Sequence, residues 1–442
     1  MYLFSGAVMK WERPYNTVLE QVLYALLGIA AGAGIGAVVG IFGRGVLFFS
    51  DLGMQNFSLY VWFMPLAGLF TVAMLKRWGK KGIGMDAAFA ASRGEGGALP
   101  LRGALFQFAG TWSAHLFCAS VGREGAAMQI GAALGENIGR AVPLRGAPRT
   151  MLVAGMAAGF SALFGTPVCA LFFALEVTVV GGLRLHALTA SAFASFAAYF
   201  VASLCGLAPY APAVGIAVQF TLGSALRVFA LGAACGLAGL AFCLIRRFSA
   251  RFFAACMPNA YLRVLLAGAM LACLLYLSGG RYAGLGTNLV QAAAEGGTVY
   301  AWDWIVKILF TAITLSVGFL GGEVTTFFAA GACLGSALGG ALGLPPAAAA
   351  CIGYAALFGA ATNTLIAPVF LCAELFGAAF LPFAAVACIA AYLFNFGHSV
   401  YPQRLREGVV RPFPRLRREE RRLPLSGPLY GRARLPRRGQ TH

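Results

Sequence analysis

A charged pair stands in the middle of a long apolar stretch of this chain. Arg123 and Glu124 are flanked by glycines, Gly122 and Gly125, and apolar runs continue on both sides. A charge at the centre of a bilayer costs about 2.5–3.5 kcal/mol on insertion scales, so such residues usually mark an ion path, a proton relay or a paired structural site. The glycines let the backbone approach a ligand closely, with free N–H groups at the start of the helix-like stretch that follows.

The elements that position this pair are membrane helices. Hydrophobic residues make up 60% of the chain and charged residues 11%, and the mean hydropathy is +0.79. Apolar stretches recur to about residue 397, and at roughly 20 residues per span they predict on the order of ten or more helices. Glycine and proline interrupt many of them, which is typical both of half-helices around a transport site and of closely packed helices.

The net charge of +18 is concentrated at one end of the chain. Residues 403–442 contain twelve arginines and three glutamates, which is half of that charge. Scattered prolines predict a disordered cytoplasmic tail, and contact with anionic lipid headgroups is favoured over nucleic-acid binding. Residues 1–17 are predicted to form a cytoplasmic N-terminal segment, so that both termini face the cytoplasm at an inner (plasma) membrane.

Sequence motifs typical of enzymes and metal-binding proteins are missing from the sequence. Eleven cysteines lie singly, and the four histidines share no metal-binding spacing. No nucleophile elbow or phosphate loop occurs, so we expect no metal and no cofactor. A membrane enzyme or receptor that uses Glu124 and Glu323 as a carboxylate pair is a weak alternative.

The chain repeats itself at an offset of about 200 residues. We expect a first membrane repeat over residues 18–210 and a second over residues 211–402. Three matched strings carry this interpretation: Gly82-Ile83-Gly84 with Gly284-Leu285-Gly286, Gly122-Arg123-Glu124 with Gly321-Gly322-Glu323, and Phe173-Ala174-Leu175-Glu176 with Leu371-Cys372-Ala373-Glu374.

A repeat of this kind predicts where the site lies. Two halves that each cross the membrane an odd number of times insert in opposite orientations and enclose a site near mid-bilayer. Broken helices then aim their amino ends inward, where each carries about half a positive charge and unsatisfied N–H groups. The predicted ligand is a small anion.

At these residues the chain resembles the CLC family of chloride channels and chloride/proton antiporters. The resemblance covers residues 18–402 and implies an all-α integral membrane protein, with a CLC-type inverted-topology repeat and broken helices that meet at mid-membrane. The strings that match the pore loops of the family are Gly82-Ile83-Gly84-Met85-Asp86, Gly122-Arg123-Glu124-Gly125-Ala126, Gly322-Glu323-Val324-Thr325-Thr326 and Tyr401.

Departures from the family pattern resemble its fluoride-exporting branch. Met85 stands near the place of a chloride-coordinating serine, and Ala126 replaces a proline. The fluoride branch carries a methionine in the first loop and Gly-Gly-Glu-Val-Thr in the third, as here. This resemblance implies fluoride/proton exchange by a homodimer with a separate pore in each subunit. A chloride/proton exchanger or chloride channel is the alternative, favoured if Met85 and Val324 merely pack.

Glu124 is predicted to act as anion gate and proton carrier. As a carboxylate it would occupy the anion's place at a helix amino end, and once protonated it would swing aside. The alternative is a structural glutamate paired with Arg123 or another arginine. Glu323 either serves as a second proton station or holds its loop by accepting backbone hydrogen bonds. Glu176 and Glu374 are interpreted mainly as structural.

The remaining site residues are expected to line the anion pathway. Fluoride holds its water tightly, so a site that dehydrates it needs compact donors such as backbone N–H groups and the Thr325 hydroxyl. Met85 either lines the pathway or fills an apolar gap, and Tyr401 lies either on its inner side or at the headgroups. The predicted pathway residues are Gly84, Met85, Arg123, Gly125, Val324, Thr325 and Tyr401.

Overall fold

The computed structural model is almost entirely helical. It describes residues 18–405 except 80–82, 96, 145, 208–211, 213 and 216–217, so the predicted segment 1–17, most of the predicted tail, Gly82 and the boundary between the repeats lie outside the described residues. The helices of the first repeat are α1 (Val18–Gln55), α2 (Phe57–Tyr60), α3 (Met64–Trp78), α4 (Met85–Ser92), α5 (Arg102–Leu116), α6 (Glu124–Ala141), α7 (Ala147–Phe164), α8 (Pro167–Glu176) and α9 (Leu188–Leu204). Those of the second repeat are α10 (Leu222–Cys256), α11 (Ala260–Leu277), α12 (Thr287–Glu295), α13 (Asp303–Val317), α14 (Val324–Gly339), α15 (Pro346–Thr362), α16 (Ile366–Phe376) and α17 (Leu381–Phe394).

Helix lengths fall into two classes. In the described part of the chain, six apolar helical segments are long enough to cross a membrane, and further apolar helices of 10–17 residues are shorter than a span. The prediction of ten or more helices is confirmed. Two of these, α6 and α14, begin at the fully buried residues Glu124 and Val324, which is the broken-helix arrangement that was predicted.

Apart from the four-residue α2, the helices of the first repeat recur in the second repeat in the same order. Three helices pack directly against their own counterparts, α3 against α11, α6 against α14 and α8 against α16. Contact between equivalent elements is what a two-fold relation between two halves requires, and it confirms the predicted inverted repeat. The full correspondence is α1 with α10, α3 with α11, α4 with α12, α5 with α13, α6 with α14, α7 with α15, α8 with α16 and α9 with α17.

Small residues let neighbouring helices touch backbone to backbone. A methyl group at Gly131 in α6 would overlap the Gly155 carbonyl oxygen in α7. The equivalent pair, Gly331 in α14 and Gly353 in α15, is related in the same way. Close packing therefore accounts for these four glycines, as in other membrane helix pairs.

Helices α8 and α16 cap each other with glutamates. Glu176, the last residue of α8, accepts hydrogen bonds of 2.5–3.3 Å from the N–H groups of residues 365–367 at the start of α16. Glu374 in α16 accepts from the N–H groups of Val168 (2.9 Å) and Cys169 (2.8 Å) in the first turn of α8. Each carboxylate satisfies donors at a helix amino end, which is the structural role expected of both.

The C-terminal end of the described chain is tied to both repeats. Strand β2 (Arg404–Leu405) runs parallel to strand β1 (Val179–Val180), which follows α8. The Gln403 side chain donates to the carbonyl oxygens of Val177 (2.9 Å) in the first repeat and Thr362 (2.8 Å) in the second. Residues 403–405 are thus ordered by these contacts, although they fall within the segment 403–442 that was predicted as a disordered tail.

Candidate functional site

The glycine loops of the two repeats meet in an antiparallel bridge. The Gly122 N–H donates to the Gly322 carbonyl (2.6 Å), and the Gly322 N–H donates to the Gly122 carbonyl (2.7 Å). Helix α6 begins two residues after the first glycine and α14 two residues after the second. The amino ends of two broken helices, one from each repeat, therefore lie side by side inside the protein, with their N–H dipoles available to an anion.

The Glu124 carboxylate sits on the first turn of the opposite repeat. One oxygen, Oε2, accepts from the Thr325 N–H (3.1 Å) and from the Arg123 N–H (3.0 Å). The Thr325 hydroxyl donates to Oε2 at 2.9 Å and to Oε1 at 3.1 Å. Glu124 is fully buried, so these donors take the place of water. We call this set of bonds the Glu124–Thr325 contact.

Arg123 lies beside the carboxylate without pairing to it. Its side chain is buried, and its Nε and Nη1 atoms have no hydrogen-bond partner. Among the residues that the structure describes, no ion pair joins Glu124 to an arginine. The structural alternative for Glu124, a buried arginine pair, is therefore not what the site contains.

Glycine is required where the two loops approach the carboxylate. A Cβ atom at Gly122 would collide with the Thr325 hydroxyl and with Oε2 of Glu124. A Cβ atom at Gly125 would lie 3.4 Å from the Cα atom of Gly322, an ordinary contact. Gly122 is thus the position at which a side chain would displace the acceptor from its donors.

Val324 and Thr325 open α14 and differ in environment. Val324 has no exposed surface and packs in the core. Thr325 is 9% exposed, and its N–H and hydroxyl both point at the carboxylate. The structure therefore brings Arg123, Glu124 and Thr325 together, and Val324 lies buried beside them.

Glu323 occupies a different environment from Glu124. It is half-buried at the residue before α14, and its side chain makes no capping hydrogen bond to that helix. Arg246 in α10 and Asp86 in α4 lie close enough to interact with it electrostatically. The two roles considered for Glu323, a second proton station and a support of its loop, both stay predictions.

Sequence reasoning missed Arg246 and Asp86 as neighbours of Glu323. Arg246 is followed by Arg247, with Arg251 further along α10, and Asp86 directly follows Met85. Since several arginines lie together in the last third of α10, Arg246 does not stand out as a charge inside an apolar segment in the way that Glu124 does.

Tyr401 lies in the protein interior. It is 4% exposed, its hydroxyl has no hydrogen-bond partner among the described residues, and its ring stacks on Phe89 with centroids 5.3 Å apart. Helix α4, which carries Phe89, begins at the half-buried Met85, and Gly84 before it has φ +109°, a conformation that favours glycine. Tyr401 is thus not an aromatic anchor at the headgroups.

The site is suited to hold an anion and to exchange it for a carboxylate. The Thr325 N–H and hydroxyl are donors at a helix amino end, which is a common anion-binding arrangement. The same donors now bind a side chain that can gain or lose a proton. Within the described residues no group of three or more His, Cys, Asp or Glu side chains is placed to hold a metal ion.

Comparisons with known proteins agree with this geometry. The pattern of the voltage-gated chloride channel family matches residues 67–395. A crystal structure of a CLC-type fluoride/proton antiporter is 37% identical, covers 89% of this chain and 100% of its own, and superposes with a TM-score of 0.86. A chloride/fluoride channel protein of Pseudomonas syringae pv. tomato (strain ATCC BAA-871 / DC3000) is 36% identical over 310 residues, 68% of each chain.

A more distant structure shares the fold. The crystal structure of a slow cyanobacterial Cl⁻/H⁺ antiporter is 17% identical, covers 84% of this chain and 94% of its own, and has a TM-score of 0.72. The architecture is therefore that of CLC-type anion/proton antiporters, in a multi-pass membrane protein. By the family pattern, the two similar sequences and the inverted repeat, this chain belongs to the voltage-gated chloride channel (CLC) family.

Proposed function

We propose that this protein is a fluoride/proton antiporter that exports fluoride, with Glu124 as both the anion gate and the proton carrier. The observation that carries the proposal is the Glu124–Thr325 contact, in which a buried carboxylate occupies donors that would otherwise bind an anion. A side chain and a transported ion that compete for the same donors are coupled by that competition.

The exchange follows from the charge of one side chain. The ionised Glu124 holds the N–H and hydroxyl of Thr325 and excludes the anion. When the carboxyl takes up a proton it loses its attraction to the helix dipole, leaves the donors and admits the anion. Returning the carboxylate to its place expels the anion and requires release of the proton. One residue then moves two ions in opposite directions.

The donor set supports fluoride as the substrate. Backbone N–H groups and one threonine hydroxyl are compact donors, which a small and strongly hydrated ion needs when its water is removed. Met85 offers a thioether where a chloride site of the family would offer a serine hydroxyl. Similarity to the fluoride/proton antiporter structure and to the chloride/fluoride channel protein supports the same choice.

Glu323 and Tyr401 are assigned to the inner part of the path. Glu323 is half-buried and interacts electrostatically with Arg246 and Asp86, which suits a second proton station. The buried Tyr401 hydroxyl has no partner and provides one uncharged donor for a weakly held ion. With these two, Gly84, Met85, Arg123, Gly125, Val324 and Thr325 complete the proposed pathway.

Family membership extends the proposal to the whole assembly. We infer a homodimer with one pathway per subunit in the inner (plasma) membrane, and termini on the cytoplasmic side. The domain limits stay as predicted at residues 1–17, 18–210, 211–402 and 403–442. No cofactor and no nucleic acid enters this function.

Ion efflux from reconstituted liposomes tests the substrate. Vesicles loaded with equal concentrations of fluoride or chloride are diluted into medium without that ion, and release is followed with an ion-selective electrode. We expect fluoride to leave faster than chloride and to drive protons into the vesicles, whereas protein-free vesicles do neither. Proton-coupled chloride release that exceeds fluoride release would instead establish the chloride/proton exchanger.

A further inference from the structure

Lys307 is a buried lysine that takes no part in the proposed exchange of anion and proton. Lys307 in α13 has no exposed surface, and its ammonium donates to the Ser120 hydroxyl (3.0 Å) and to the carbonyl oxygens of Tyr282 (3.0 Å) and Gly284 (2.7 Å). Three donors meet three acceptors, so the ammonium is fully hydrogen-bonded. Among the described residues no carboxylate pairs with it. A buried charge without a counter-ion is costly, which calls for a role beyond packing.

A chain of hydroxyl groups leads from this lysine toward the site. The Ser120 hydroxyl lies 3.0 Å from that of Thr311, which lies 2.8 Å from that of Thr326, and all three residues are fully buried. Because an ammonium can only donate, Ser120 accepts from Lys307 and keeps its own proton for Thr311. We call Lys307, Ser120, Thr311 and Thr326 the Lys307 network.

The two ends of the Lys307 network lie on the two sides of the Glu124–Thr325 contact. Ser120 belongs to the loop that leads through Gly122 to Glu124. Thr326 follows Thr325 in the first turn of α14. The Lys307 network therefore joins the segment that carries the carboxylate to the segment that carries its donors, independently of the carboxylate itself.

The loop on which Lys307 rests is itself held firmly. Asp303, one turn earlier in α13, accepts from Arg281 at 3.0 and 2.5 Å and from the Tyr282 hydroxyl at 2.7 Å. Its carboxylate also accepts from the Tyr300 N–H at 2.8 Å. Lys307 thus links the site to a loop whose position is already fixed.

The first repeat is built differently at the equivalent position. At the offset of 200 that relates α5 to α13, Lys307 corresponds to Gln107, which donates to Gln129 at 2.6 Å. A pocket of about 20 Å³ is lined by Gln129, the partner of Gln107, and by Gly84. In the second repeat the Lys307 side chain lies against Gly286, the counterpart of Gly84. The ammonium is therefore a feature of one half only.

We propose that Lys307 is a positioning residue of the transport cycle. Through the Lys307 network it keeps the Thr325 donors at a fixed distance from the Gly122 loop while Glu124 is away from them. After Glu124 has left, these donors remain arranged to bind a small anion. Movement of the anion then stays coupled to the protonation of Glu124. This inference rests on the proposed function, because it concerns the same donors.

Two substitutions remove the Lys307 network at different points. Lys307→Met keeps the length of the side chain and removes the donors, and Thr311→Val keeps the shape of the threonine and removes the hydroxyl. Thr311→Ser retains the hydroxyl and is the conservative control, and Lys76→Met replaces an exposed lysine in α3. Each protein is first checked by size-exclusion chromatography. If Lys307→Met does not fold, the test relies on Thr311→Val alone.

The first readout is the number of protons moved per fluoride in liposomes. We expect Lys307→Met and Thr311→Val to move fewer protons per fluoride, with Thr311→Ser and Lys76→Met like the wild type. The second readout is fluoride binding to the detergent-solubilised protein by calorimetry. There we expect the two disruptive variants to bind about tenfold more weakly or worse, since small displacements of positioned groups have effects of this size.

A purely structural lysine gives a different result. Variants that are less stable but keep the wild-type coupling ratio and fluoride affinity would overturn the inference. The proposed function fails separately, if the wild-type protein itself moves no protons with fluoride. In that case the calorimetric comparison alone decides whether Lys307 positions the donors.

Discussion

At the scale of single residues, Thr325 gives the Glu124 carboxylate two donors of different kinds. The backbone N–H is fixed by the start of α14, whereas the hydroxyl rotates to follow its acceptor. Hydrogen bonds to a charged acceptor are among the stronger ones in proteins. The hydroxyl is therefore the part of the anion site that a single substitution can remove without moving the backbone.

Replacing Thr325 tests this contribution. We expect Thr325→Val to lower the apparent affinity for fluoride by about ten- to a hundredfold, since a hydrogen bond to a charged group contributes about 1.5–3 kcal/mol. Thr325→Ser retains the hydroxyl and is expected to behave like the wild type. The fluoride concentration at half-maximal efflux in liposomes gives the measurement. Equal values for the valine and serine variants would remove the hydroxyl from the site.

Residues of the site differ in how far the sequence alone predicts them. Glu124 is conspicuous because it is a charge in an apolar run between glycines, and the structure places it as expected. Its contact with Thr325, 201 residues away, follows only from the repeat and from the family resemblance. Lys307 is the one basic residue of α13 and is followed there by ten uncharged residues, so it carries the same sequence signal of a charge beside an apolar run.

At the scale of elements, the reciprocal caps of α8 and α16 hold the two repeats together. Each glutamate accepts hydrogen bonds from the first turn of the partner helix, so neither helix begins with unsatisfied donors. The caps lie on the elements that pack across the two-fold relation. They stabilise the frame around the site and make no contact with Glu124.

Neutralising a cap is therefore expected to affect stability more than transport. We expect Glu374→Gln to lower the free energy of unfolding by about 1–3 kcal/mol, because the amide replaces a charged acceptor at a buried helix end. The number of protons moved per fluoride is expected to stay at the wild-type value. Thermal unfolding in detergent measures the first quantity, with the exposed Glu295→Gln as control.

A different outcome would give Glu374 a functional role. If the coupling ratio of Glu374→Gln changes while its melting temperature matches that of Glu295→Gln, the cap interpretation is wrong.

The start of a helix could be predicted where one sequence pattern marks it. Features of a helix were harder to predict where two structures share the same sequence pattern. The glycines before Glu124 and Val324 mark the starts of α6 and α14, because backbone groups that approach a partner closely need small residues. The lengths of the helices are harder to predict, because an apolar half-helix and an apolar full span have the same composition. The ordering of residues 403–405 depends on Gln403 and on strand pairing with Val179–Val180, contacts between segments far apart in the chain.

At the scale of the whole molecule, the inverted repeat explains why the site is central. Equivalent loops from the two halves join at Gly122 and Gly322, so the site lies on the two-fold relation itself. The halves are not identical there, because the Glu124 carboxylate accepts hydrogen bonds from Thr325 of the other half, whereas the half-buried Glu323 interacts electrostatically with Arg246 and Asp86. The two halves thus share the same helical architecture but place their carboxylates in different environments, one on each side of the Gly122–Gly322 bridge.

The central claim is that Glu124 and the anion take turns on the same donors, so that neither ion crosses without the other. Its most direct test is proton movement driven by a fluoride gradient in liposomes, measured for the wild type and for Glu124→Gln. We predict that outward fluoride flow drives protons inward through the wild type and that the glutamine variant moves no protons. Unchanged fluoride-driven proton uptake through Glu124→Gln would contradict the account.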